Sequence, residues 1–175
     1  MAYLCDPQMC EEAKQRGEDL AQLPHTYAAL INESIKHNHD DLHISMHVCR
    51  GNFKSTWFAQ GGYEAVADVL FNELNIESYF LEYDDDRAGG FKPLRFVPQH
   101  KSVVLGLVSS KLAELEEPKK IISRIEEASE FLSLDNLCLS PQCGFSSTHH
   151  GNNLSEEQQW AKLALVKEIA DDVWG

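Results

Sequence analysis

The residues best able to do chemistry in this sequence include a histidine and a cysteine two positions apart in the stretch ISMHVCRGN, residues 44–52. His47 and Cys49 end a short apolar run that predicts a β-strand, and side chains two apart on a strand point to the same face. An imidazole and a thiol on one face can bind the same metal ion if other segments supply further ligands. Suitable donors are Glu82, in ESYFLEY, and Cys143, in SPQCGF.

These four donors comprise one nitrogen, two sulfurs and one carboxylate oxygen. Zn²⁺ accepts all three ligand types in tetrahedral geometry, and soft sulfur with nitrogen favours zinc over magnesium or calcium. Spacing alone leaves simpler interpretations open, because a cysteine in a strand is often a small core residue and a glutamate at a strand end is often solvated. Cys138, whose simplest interpretation is a core residue of a strand, is the substitute ligand if Cys143 is not one.

The pattern of apolar residues predicts four strands that alternate with helices. The predicted strands are residues 42–47, 77–83, 102–108 and 136–141, and the predicted helices are residues 24–38, 61–74, 117–132 and 154–174. Ser155 and Gln158 form a capping-box pattern at the start of the last helix. This alternation is typical of an α/β fold built from parallel βα units. Four units fit either a small open sheet or half of an eight-stranded barrel, and in both the carboxyl ends of the strands meet at one rim.

Length and composition limit the possible partners. The chain has 175 residues, which suggests one domain over residues 1–175, and its formal net charge is −13. An acidic chain repels phosphate backbones and anionic lipid surfaces, so we expect neither nucleic acid nor membrane as a partner. No secretory signal is evident at the N-terminus. The odd number of cysteines, five, indicates free or metal-bound thiols in a reducing compartment, and we therefore expect a cytoplasmic protein.

Three motifs resemble those of the cobalamin-independent methionine synthase family, and most closely its shorter single-barrel relatives. MHVCRGN resembles the family's His-x-Cys motif, YFLEYDD its strand that ends in a zinc-binding glutamate, and SPQCGF its Pro-x-Cys-Gly motif. The resemblance runs through nearly the whole chain. It implies the C-terminal half of a TIM (β/α)8 barrel in which zinc is bound by His47, Cys49, Glu82 and Cys143.

Other residues at the same rim are candidates for binding substrate. GLVSSK resembles the family's strand end between the glutamate and the last cysteine, and it places Ser109 and Ser110 there. His149 follows the last motif and is a further candidate, although a solvated loop is the simpler interpretation. Arg50 and Lys54 could pair with an anionic substrate group.

The activity implied by the resemblance is methyl transfer from 5-methyltetrahydrofolate, as the polyglutamate, to the thiol of homocysteine or a related thiol, a step of methionine biosynthesis. Zinc would lower the thiol pKa from roughly 8.5. With four protein ligands, one must yield or the coordination number must rise, and Glu82 is the candidate to move. The alternative is a non-catalytic, truncated zinc-binding domain or subunit that needs a partner half-barrel.

A half barrel leaves sheet edges and one sheet face without partners. Val103, Leu105 and Leu107 are predicted to lie on the uncovered inward face. We therefore expect self-association or marginal stability.

Overall fold

The strands form one parallel sheet, as the sequence predicts. The structure is a computed structural model that describes residues 1–39 and 41–175. Within these residues the strands are β1 (Ser45–Val48), β2 (Ser78–Glu82), β3 (Ser102–Val108) and β4 (Leu137–Pro141). Their order in the sheet is β1-β2-β3-β4, and every neighbouring pair is parallel. The prediction of an α/β fold with parallel βα units is therefore confirmed.

The helices match the predictions with two differences. They are α1 (Pro7–Gln15), α2 (Leu23–Ile35), α3 (Ala67–Asn72), α4 (Pro118–Ser129) and α5 (Glu156–Trp174). The unpredicted α1 begins after Asp6, whose carboxylate accepts hydrogen bonds from the amides of Gln8 and Met9. The single helix predicted over residues 61–74 is wrong, because a 3-10 turn at Tyr63–Ala65 precedes α3. The capping box of α5 is confirmed.

The helices cover one face of the sheet and leave the other open. Tyr79, Leu81 and Leu137 are buried in one core with Ile125 of α4 and Leu165 of α5. On the opposite face, four residues in register are half-buried or exposed: His47, Phe80, Val104 and Cys138. We call this second surface the open face. No helix among the described residues is long and apolar enough to cross a membrane.

The predicted orientation of β3 is wrong. Val103, Leu105 and Leu107 are almost completely buried, so they belong to the helix-covered face and not to the open face. The reason is that β3, SVVLGLV, is apolar on both faces, and alternation cannot assign a face when both sets of residues are apolar.

Gly106 allows the end of β4 to approach β2 and β3 closely. It pairs with Glu82 on one side and Ser140 on the other. A Cβ atom at this position would lie 2.7 Å from the Cα of Gln142 and 2.8 Å from the carbonyl oxygen of Leu81. Both contacts are with backbone, which cannot turn aside as a side chain can. Glycine is therefore needed at this position, between the end of β2 and the residues that follow β4.

We expect Gly106→Ala to lower the free energy of unfolding by about 1–3 kcal/mol, because the added methyl overpacks the sheet. Chemical denaturation measures this change. Gly90→Ala is the matched control, since a Cβ at Gly90 meets nothing within 4 Å. The control should stay within about 0.5 kcal/mol of the wild type. Equal stability of both variants would contradict the close approach at Gly106.

Candidate metal centre

The structure brings four predicted ligands together from three segments. The ligand atoms of His47, Cys49, Glu82 and Cys143 all lie within 4.8 Å of one another. We call these four residues the donor cluster. His47 lies in β1, Cys49 follows it, Glu82 ends β2, and Cys143 lies two residues beyond β4. Parallel strands explain this convergence, because their carboxyl ends share one rim of the sheet.

Glu82 is the most constrained member of the cluster, because its side chain is 0% exposed. Its Oε2 accepts a hydrogen bond of 3.2 Å from Nε2 of Gln142. Its Oε1 lies 3.3 Å from Nε2 of His47 but accepts no hydrogen bond within the described residues. A buried carboxylate without its full set of partners is costly. A cation beside Oε1 would remove that cost.

The two thiols of the cluster share a proton. Sγ of Cys49 lies 3.9 Å from Sγ of Cys143, and both cysteines are free. The hydrogen bond between them lowers the pKa of Cys143 well below its ordinary value and raises the pKa of Cys49. The backbone amide of Gly51 also donates to Sγ of Cys49, over 3.2 Å. The pair therefore favours a thiolate at Cys143 and a thiol at Cys49.

The imidazole of His47 completes the electrostatics of the cluster. Close contact with Cys143, and next with the carboxylate of Glu82, raises the pKa of His47 to about 9, against the opposing effect of burial. In the protein alone, the imidazolium therefore compensates part of the negative charge of the thiolate and the carboxylate. A metal ion would replace this proton, since metal ligands must be deprotonated.

The donor cluster fits a zinc ion by the chemistry of its donors. One imidazole nitrogen, two sulfurs and one carboxylate oxygen are ligand types that Zn²⁺ binds in tetrahedral sites. The unsatisfied Oε1 of Glu82 is an independent sign that the cluster is arranged for a cation. Sulfur donors argue against magnesium and calcium, which prefer oxygen.

Tyr63 holds the ends of β1 and β2 together beneath the cluster, a role that the sequence did not reveal. Its hydroxyl accepts a 2.8 Å hydrogen bond from the amide of Glu82 and lies 3.4 Å from the carbonyl oxygen of Val48. Arg50 stacks on the Tyr63 ring at 4.2 Å and is 1% exposed. The expectation that Arg50 pairs with an anionic substrate is therefore wrong, because its guanidinium is buried against an aromatic ring.

The predicted substrate residues lie in different surroundings. Ser109 is buried, and its hydroxyl lies 3.1 Å from Oε1 of Gln142, which in turn contacts Glu82. Ser110 is also buried, and its hydroxyl has no hydrogen-bond partner among the described residues. His149 is exposed, with its ring 3.8 Å from that of His150. Of the three predicted substrate residues, Ser109 is thus the one that a described side-chain contact links to the donor cluster.

Cys138 is not buried in the core, contrary to the simplest prediction from its position in a strand. It lies exposed on the open face, and among the described residues it is not part of the donor cluster. Pairing with Val104 places it on the same face as Phe80. Its position is explained by alternation, because the neighbouring Leu137 points to the core.

A cleft of about 500 Å³ opens beside the cluster on the open face. Its lining includes Ser45, His47, Phe80, Ser140, Cys143 and Gly144. The cleft therefore reaches two members of the donor cluster and is bordered by an exposed aromatic ring. A small molecule bound there would meet His47 and Cys143 directly.

Two curated proteins of Bacillus subtilis (strain 168) are similar to this chain. The uncharacterized protein YxjH is 56% identical over 165 residues, which cover 94% of this chain and 44% of YxjH. The uncharacterized protein YxjG is 58% identical over 158 residues, which cover 90% of this chain and 41% of YxjG. The chain thus spans less than half the length of these curated relatives. No protein-family model matches it.

Two solved structures share the fold. One, provisionally described as a vitamin-B12-independent methionine synthase from Listeria monocytogenes, is 41% identical, with a TM-score of 0.75 over 99% of this chain and 46% of that one. The other is a B12-independent methionine synthase from Shewanella sp. W3-18-1 in complex with selenomethionine. It is 18% identical, with a TM-score of 0.70 over 87% of this chain and 44% of that one, and shows likeness of fold alone. The parallel sheet and its helices therefore match part of TIM-barrel-like methionine synthase structures, and the identity to the Listeria protein supports the resemblance found in the motifs.

Proposed function

We propose that residues 1–175 form the zinc-binding, C-terminal half of a barrel of the cobalamin-independent methionine synthase family. The proposed reaction moves a methyl group from N5 of 5-methyltetrahydrofolate to the thiol of homocysteine and gives methionine. The observation that carries the proposal is the donor cluster, with its four ligand atoms within 4.8 Å. The selenomethionine bound by the Shewanella protein is the selenium analogue of the proposed product. The free cysteines fit a cytoplasmic location.

The residues of this chain have separate roles in that proposal. His47, Cys49, Glu82 and Cys143 would hold zinc, which when bound supplies the positive charge that makes a substrate thiol acidic at neutral pH. Four protein donors complete a tetrahedral set, so a substrate sulfur requires one donor to yield or the coordination number to rise. Glu82 is the hardest donor of the four and the one we propose to yield. The cleft bordered by Phe80 would admit the substrate.

The second candidate is a zinc-binding domain that has no activity until a partner half covers its open face. The observation that favours it is the exposure of that face, where the cleft is open and Phe80 is 36% exposed. The longer length of the Bacillus subtilis relatives agrees with a missing part. Under this proposal the isolated chain binds zinc, but it transfers methyl groups only when a partner supplies the remaining strands.

We expect the wild-type chain, purified without chelator, to contain one zinc ion per chain, and Cys143→Ala to lose it. The reason is that the variant keeps only one of the two cysteine sulfurs, and soft thiolate donors are the ones that select zinc. Cys138→Ala is the matched control, because Cys138 lies outside the donor cluster, and it should retain zinc. Metal analysis by atomic emission measures both. Unchanged zinc content in Cys143→Ala would contradict the assignment.

A methyl-transfer assay separates the two candidate functions. Methionine is measured from 5-methyltetrahydrofolate and homocysteine, with the chain alone and with the part of YxjH that this chain does not match added. Turnover by the chain alone supports the first candidate. Turnover only with the added part supports the second, and zinc binding without turnover in either mixture overturns methyl transfer while leaving the metal site intact.

Zinc binding should release protons in a pH-dependent way. The pKa of His47 is raised to about 9, so at pH 7 the imidazole carries a proton that zinc must displace. Above that pKa the proton is already lost. We therefore expect zinc affinity to increase from pH 7 to pH 9, and the number of protons released from His47 to fall by about one half across this range and further at higher pH.

Calorimetric titration of zinc in two buffers of different ionisation enthalpy counts the protons. The same titration at pH 7 and pH 9.5 provides the comparison. An equal number of protons at both values would contradict the raised pKa of His47.

We predict that the chain self-associates through the open face. Sedimentation velocity should show a coefficient that rises with protein concentration, because a second copy covers exposed apolar surface. Phe80→Glu should reduce the association, since it places a charge on the open face. Trp160→Glu is the control, because Trp160 is also a large aromatic residue, is 60% exposed, and lies on α5. A compact monomer at every concentration would contradict the prediction.

A further inference from the structure

Gln142 connects the donor cluster to a buried polar network that the proposed reaction does not use. Its side chain is buried, with 2% of the residue exposed. The backbone amide of Gln142 donates to the carbonyl oxygen of Val108 over 2.8 Å, which fixes the residue at the end of β3. Nε2 then reaches Oε2 of Glu82 over 3.2 Å. One residue thus joins β3, the carboxylate that ends β2 and the adjacent Cys143.

The orientation of the Gln142 amide is determined by its two neighbours. An ionised glutamate can only accept hydrogen bonds, so Nε2 must face Glu82. Oε1 then faces the hydroxyl of Ser109, 3.1 Å away, which can donate to it. A reversed amide would place its oxygen against the carboxylate of Glu82 and its NH2 group against Ser109. The observed orientation is the one in which the carboxylate meets a donor.

The proton of Ser109 is available for Gln142 because the competing acceptor has another donor. The hydroxyl also lies 3.1 Å from Oδ2 of Asp84. Arg87 donates to both carboxylate oxygens of Asp84, over 2.9 and 3.1 Å. The amide of Lys111 donates to the Ser109 oxygen over 3.3 Å and so helps to fix the hydroxyl. A chain of buried and partly buried contacts therefore runs from Arg87 through Asp84, Ser109 and Gln142 to Glu82.

We propose that Gln142 is a positioning residue that holds Glu82 as a one-oxygen metal ligand, and that Ser109 orients Gln142 for this role. The inference rests on the proposed zinc site. Gln142 occupies Oε2, so only Oε1 is directed at the rest of the cluster, where it lies 3.3 Å from Nε2 of His47. If Glu82 yields to a substrate sulfur, Gln142 still supplies a partner for the buried carboxylate.

The experiment measures zinc affinity by competition with a chromophoric chelator, using the full 175-residue chain. Gln142→Met keeps the length of the side chain but removes its polar atoms, and we expect affinity to fall about 10- to 100-fold, as for other residues that orient metal ligands. Gln99→Met is the matched control, because Gln99 is exposed, and its affinity should equal that of the wild type. In the cobalt(II)-loaded protein, the visible absorption of Gln142→Met should also change.

A double-mutant cycle distinguishes positioning from a general structural effect. In the Glu82→Ala background, Gln142→Met should cost less than twofold, because there is no carboxylate left to hold. An undiminished loss in that background would overturn the inference. Ser109→Ala should weaken binding several-fold while Ser109→Thr, which keeps the hydroxyl, restores it. This pair tests the network if Gln142→Met fails to fold.

The outcomes separate this inference from the proposed function. Wild-type protein that binds no zinc would overturn the proposed function and the inference together. Wild-type protein that binds zinc tightly, with equal affinity in Gln142→Met, would overturn only the role of Gln142.

Discussion

The constraint on which the site depends is a carboxylate that has been removed completely from water. Glu82 is 0% exposed, and one of its oxygens accepts no hydrogen bond from the described residues. Such a group is unfavourable unless positive charge lies next to it. In the protein alone, the His47 imidazolium provides part of that charge. A divalent cation would provide more, so burial of this one side chain would link folding of the sheet to the proposed metal binding.

Three residues around Glu82 determine the position of its backbone and side chain. Its backbone amide is held by the Tyr63 hydroxyl, and Oε2 by Gln142. Because Gly106 has no side chain, the backbone of Gln142 can approach β3 at the position that pairs with Glu82. The position of Glu82 therefore depends on three residues that are distant in sequence and need no contact with a substrate. Substitutions at any of them should change the donor cluster as well as the fold.

Much of this arrangement was predictable from the sequence, and the failures have definite causes. The β3 strand was predicted with its correct limits because SVVLGLV is a continuous apolar run, and its parallel pairing followed from alternation with helices. The face of the sheet on which Val103, Leu105 and Leu107 lie could not be predicted, since both faces of β3 are apolar. The cluster could be located because parallel strand ends converge, whereas Gln142 and Tyr63 act through tertiary contacts that leave no local pattern. The cap at Asp6-Pro7 was a signal for α1 that the apolar pattern alone did not reveal.

The donor cluster and the open face also differ in what they require from a further layer of structure over the sheet. All four donors come from residues 47–143, and their mutual distances are set by the sheet that these residues build. The proposed capture of a cation is thus independent of any cover on the open face, whereas shelter of the adjacent cleft from water is not. Under the proposed function, the ion would therefore bind before anything covers the open face, and the loaded sheet would serve as a template for whatever packs there.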